Sequence, residues 1–99
     1  MRLTPDQIDT IRIAVAQVAG ADARVWLFGS RLDDTRRGGD VDLLLDMPAP
    51  VVEPALLAAQ LSARVSRAMD GRDVDVVVRA PNLLQLPIHK IALEQGIQL

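Results

Sequence analysis

Two segments, residues 40–46 and 73–79, place acids and aliphatic side chains at alternate positions, a pattern that only an extended strand can satisfy. In the first, Asp40, Asp42, Leu44 and Asp46 share one face and Val41, Leu43 and Leu45 the other. In the second, Asp73, Asp75, Val77 and Arg79 oppose Val74, Val76 and Val78. Aspartate is depleted in strands, so these carboxylates need a reason. Between the segments Leu56, Leu57, Leu61, Val65 and Met69 recur at helical spacing, with Gly71 as a stop. Strand, helix and strand in this order demand one sheet with helices packed on it.

The rest of the chain fits that plan. Thr4-Pro5-Asp6-Gln7 reads as a capping box with proline at the first helical position, and Ile8, Ile11, Val15 and Val18 follow before Gly20. Residues 23–28 read as a strand ending at Gly29-Ser30, residues 30–35 as one or two helical turns, and residues 36–39 as a glycine-bearing loop. Pro87 opens a helix through Ile88, Ile91 and Leu93, which Gly96 ends, and residues 97–99 form a last short strand. The fold class is α/β (α+β): a mixed sheet of about four strands with helices against it. The 99 residues are expected to form one domain.

Composition narrows the function. Aromatic residues make up 2 %, Trp26 and Phe28 alone, too few to stack the bases of a single strand. A net charge of −2 argues against nucleic acid and anionic membrane as partners. There is no cysteine, hence no disulfide and no thiolate metal site. No run of about 18 apolar residues is present and no signal-peptide pattern opens the chain, so a cytoplasmic location is expected.

Asp-x-Asp occurs twice, where about one such pair would arise by chance, so the bare motif carries little weight. Its setting carries more. Carboxylates at i and i+2 on a strand lie about 6.5–7 Å apart at Cα. That spacing lets them grip two hard cations about 3.5–4 Å apart, with a third carboxylate from a neighbouring strand completing the set. Asp40, Asp42 and Asp75 meet this requirement if their strands are close, and Mg²⁺ suits such oxygen donors. Gly29-Ser30 ends a strand where backbone N–H groups and a hydroxyl can receive phosphate, and Arg31, Arg36 and Arg37 supply positive charge. Asp46 and Asp73 match no ligand role, and His89, beside Lys90, reads as a surface histidine.

Leu27-Phe28-Gly29-Ser30-Arg31, followed after Gly39 by Asp40-Val41-Asp42-Leu43, resembles the Gly-Ser…Asp-x-Asp signature of the polymerase-β-type nucleotidyltransferases, and most of all their minimal, antitoxin-type members. Val74-Asp75-Val76-Val77 is similar to the segment bearing that family's third carboxylate, and the ending from Ala92 to Leu99 is similar to its last helix and strand. Two departures stand out: relatives often continue past this point with a tyrosine, and many carry Ser or Asp where this chain has Gly38-Gly39.

The resemblance implies that Gly29, Ser30 and Arg31 bind the phosphates of a nucleoside triphosphate. It implies that Asp40 and Asp42 bridge two Mg²⁺ ions, and that Asp75 completes the catalytic metal site and helps deprotonate an acceptor hydroxyl. The implied reaction is transfer of AMP from ATP with release of pyrophosphate. An acceptor site is expected from another polypeptide, a second copy (a homo-oligomer) or a different chain. By resemblance the acceptor is a tyrosine of a helical HEPN-type toxin, with the chain acting as antitoxin. The alternative is a non-catalytic antitoxin that neutralises its toxin by complex formation.

Overall fold

A computed structural model describes residues 3–29 and 41–99. Its elements are α1 (Pro5–Ala19), β1 (Arg24–Phe28), β2 (Val41–Asp46), α2 (Pro54–Ala68), β3 (Val74–Arg79), α3 (Pro87–Gln95) and β4 (Ile97–Gln98). The expected helical turns over 30–35 and the loop over 36–39 lie outside the described residues.

Helix α1 starts where its capping box is made: Thr4 Oγ1 accepts from Gln7 N at 3.2 Å, and Thr4 N donates to Gln7 Oε1 at 2.9 Å. The four strands form one mixed sheet in the order β3-β2-β1-β4. β1 is antiparallel to β2 and β4, while β2 and β3 are parallel. A parallel pair needs a crossover, and α2 supplies it. Asn82, in the turn after β3, ties down the loop that enters α2, accepting from Val51 N at 2.9 Å and donating to Val51 O at 2.8 Å.

The two faces follow the period-two pattern. On one, Val25, Leu27, Val41, Leu43, Leu45, Val74 and Val78 form the main core with Ile11 and Val15 of α1 and Leu61 and Val65 of α2. On the other, Phe28 and Leu44 pack against Ala92 of α3, with Trp26, Val77 and Leu93 half-buried around them. β2 is therefore covered on both sides, and Leu43, Leu44 and Leu45 are all 0 % exposed.

Helix α3 opens at Pro87 as expected and corrects one sequence expectation. Its inward residues are Ala92, Leu93 and His89, whereas Ile88 and Ile91 are exposed. His89 is not a surface residue: it is 3 % exposed, and its Nδ1 accepts from Leu86 N at 3.0 Å. Three residues into the helix, it satisfies a backbone donor that the first turn leaves unpaired. The ring that reads as polar beside Lys90 is the one that can reach back to do so.

Candidate active site

On the α3 face, register arranges the sheet side chains in three rows. Phe28 pairs with Asp42 and Asp42 with Asp75, giving one row across three strands. The next row is Trp26, Leu44 and Val77, and the third Arg24, Asp46 and Arg79. The middle row is apolar and packs with α3. The outer rows hold the charge.

The third row is structural. Asp46 receives a hydrogen bond from Arg79 at 2.9 Å between partly exposed side chains, which fits the supporting part expected of it. Asp73 sits just before β3, where its carbonyl accepts from Val41 N at 2.9 Å.

The first row differs. Asp42 and Asp75 are Cα partners on adjacent strands, which are spaced about 4.8 Å apart, and alternation turns both carboxylates to the same face. Asp42 is half-buried and Asp75 is exposed. Gly29 follows Phe28 directly with φ +76°, a conformation that side chains disfavour. A Cβ built there would lie 3.0 Å from Asp42 Cγ and overlap Oδ2. Glycine at this position thus leaves room for the Asp42 carboxylate at the end of β1, a second reason for it beside the phosphate approach that the sequence suggests.

Beside Asp75 lies an open groove of about 430 Å³, lined by Ala59, Ser62, Ala63 and Ser66 of α2 and by Asp73 and Asp75. Ser62 Oγ donates to Val74 O and fixes the helix against the strand edge. Two larger hollows lie elsewhere, one by Arg24, Asp46 and Arg79 and one between α1 and β4.

Of the expected site residues, the fold brings Gly29, Asp42 and Asp75 together. Ser30, Arg31 and Asp40 lie outside the described residues, as do Arg36 and Arg37. Among the described residues, no three acidic or histidine side chains are grouped to hold a metal. The pair that is placed offers oxygen donors only, side by side on rigid strands, which suits a hard divalent cation.

An open mixed sheet with helices on both faces, and paired carboxylates in register beside a glycine turn, make this an α+β domain with the layout of a nucleotidyltransferase core. The chain belongs to the nucleotidyltransferase domain family, whose model matches residues 8–98, and so to the polymerase-β-like nucleotidyltransferases. It is a transferase of a family that generally uses divalent metals and a nucleoside triphosphate. A search of curated proteins finds no match. No helix among the described residues is long and apolar enough to cross a membrane.

Proposed function

We propose that the chain transfers AMP from Mg-ATP to a hydroxyl of a partner protein, a tyrosine of a helical HEPN-type toxin, and thereby acts as an antitoxin. The observation that carries the chemistry is the in-register pair Asp42 and Asp75, with Gly29 cleared against Asp42, in a chain of this family. The acceptor and the antitoxin role rest on the sequence resemblance.

In this reading Asp40 and Asp42 hold the divalent cations together with Asp75. Bound Mg²⁺ supplies charge neutralisation on the triphosphate and on the incoming oxygen. Gly29, Ser30 and Arg31 hold the β- and γ-phosphates, so that the α-phosphorus faces the first row of the sheet. The acceptor oxygen bonds to that phosphorus as the bond to the α,β-bridging oxygen breaks, and pyrophosphate leaves. The hydroxyl proton passes to the Asp75 carboxylate, which is exposed to an acceptor lying in the groove beside α2.

Intact-mass spectrometry of the partner toxin tests this. Incubation with the chain and Mg-ATP should add units of about 329 Da, one AMP each, as nucleotidyl transfer requires. Asp75→Asn should abolish the gain and leave the complex intact. Full neutralisation of the toxin by Asp75→Asn, with no mass gain by wild type, would establish masking without catalysis instead.

A further inference from the structure

The two edges of the sheet are treated differently. At β3, Ser62 Oγ occupies the carbonyl of Val74, and α2 packs closely on the strand. At β4, Leu99 N donates to Val25 O at 2.9 Å, so Ile97 and Leu99 turn their backbone groups inward. The N–H and C=O of Gln98 consequently face outward. Ile97-Gln98-Leu99 carries no proline and no charged side chain, so only the shortness of β4, two residues, protects this edge.

The surroundings of this edge are apolar at the centre and charged at the rim. Ile97 is 49 % exposed, on the sheet face where α1 packs, and Ile13 of α1 is 57 % exposed. Beside Ile13 runs a hollow of about 620 Å³ lined by Asp9, Arg12, Ile13, Val25, Gln98 and Leu99. Asp9 and Arg12 stand one helical turn apart, both exposed, and neither has an ion-pair partner among the described residues. One patch therefore holds an open strand edge, exposed isoleucines and an unpaired charge of each sign.

We infer that this patch is a two-fold interface with a second copy of the chain, in which β4 pairs antiparallel with its counterpart about Gln98 and the sheets join. Self-complementarity is what selects a second copy over another occupant. A two-fold contact places a surface against itself, so charges within it are satisfied when both signs are present to meet across the axis, and an open antiparallel edge can pair with its own copy. Gln98 meets the second condition, exchanging N–H···O=C bonds with the Gln98 of the other copy. Asp9 and Arg12 meet the first, each facing the opposite charge across the axis. Ile13 and Ile97 fill the centre and lose their exposure.

Sedimentation velocity of the whole chain over a concentration series tests the inference. Wild type should form a particle of twice the 10.7 kDa chain mass at micromolar concentration. Arg12→Asp, on an exposed helical position, should raise the dimer dissociation constant about tenfold or more by setting like charges together. The double variant Asp9→Arg/Arg12→Asp should restore the dimer. Gln98→Pro removes the outward N–H and should also give monomer, with an unchanged far-ultraviolet spectrum showing that the fold survives. A wild type that stays monomeric at all concentrations overturns the proposal. So does a dimer indifferent to Arg12→Asp and Gln98→Pro, which would use another surface such as the exposed Leu84, Ile88 and Ile91. Failure of the charge swap to restore association would overturn the paired-charge geometry.

Discussion

Gly29 is where backbone conformation and chemistry meet. Its positive φ and the adjacent Asp42 carboxylate both exclude a side chain. Gly20 also has positive φ, at +97°, yet a Cβ there would meet nothing within 4 Å. The two glycines separate conformational strain from steric conflict. Gly20→Ala should cost about 1 kcal/mol, and Gly29→Ala about 2–3 kcal/mol together with loss of nucleotide binding. Equal melting points for the two variants would show that the approach of Asp42 to Gly29 is unimportant. His89 makes a second residue-scale point. Removing its ring leaves Leu86 N unpaired and a hole beneath α3, so His89→Ala should destabilise by about 1–3 kcal/mol. His89→Gln should recover part of that, because glutamine at the third helical position can make the same reverse hydrogen bond. Chemical denaturation of the three proteins decides it, and an unchanged His89→Ala midpoint would refute the capping role.

At the scale of elements, what the sequence makes plain is periodicity. Val41, Leu43 and Leu45 fall on one face of β2 as the alternation requires, and the Thr4 capping box starts α1. The phase of α3 is not legible in the same way. Over nine residues, Ile88 and Ile91 give as good an apolar stripe as His89, Ala92 and Leu93. Contact with the sheet decides between them, since small Ala92 lets the helix approach Phe28 and Leu44 closely. Truncating the sheet side of this contact should therefore cost far more than truncating the outer side of the helix. Leu44→Ala is expected to lose about 2–5 kcal/mol, as a fully buried leucine does. Ile91→Ala, 45 % exposed, should lie within about 0.5 kcal/mol of wild type. A large loss for Ile91→Ala in thermal unfolding of the free chain would mean that α3 docks by its other face.

For the molecule as a whole, the site is a product of register. The sequence names Asp42 and Asp75 as candidates by residue type and spacing, but nothing local tells that β2 and β3 run parallel with these two opposite each other. A shift of one residue would send Asp75 to the face of the buried core. The match of Val41 to Val74 and of Leu45 to Val78 within that core holds the register. At the other end of the same face, Asp46 and Arg79 neutralise each other, while the Asp42–Asp75 pair sits at the glycine turn. Fold class and candidate carboxylates are thus readable from pattern, while their juxtaposition comes from pairing between strands 33 positions apart.

The central claim is that Asp42 and Asp75 act together on a divalent cation and a nucleotide. Calorimetric titration of wild type, Asp42→Asn and Asp75→Asn with Mn²⁺ and a non-hydrolysable ATP analogue tests it most directly. Wild type should bind the nucleotide only with the metal present. Each asparagine variant should weaken that binding about tenfold or more, a loss of ~1.4 kcal/mol or greater, while Asp75→Asn still unfolds at the wild-type midpoint. Metal-dependent binding of unchanged affinity in both variants would contradict the account.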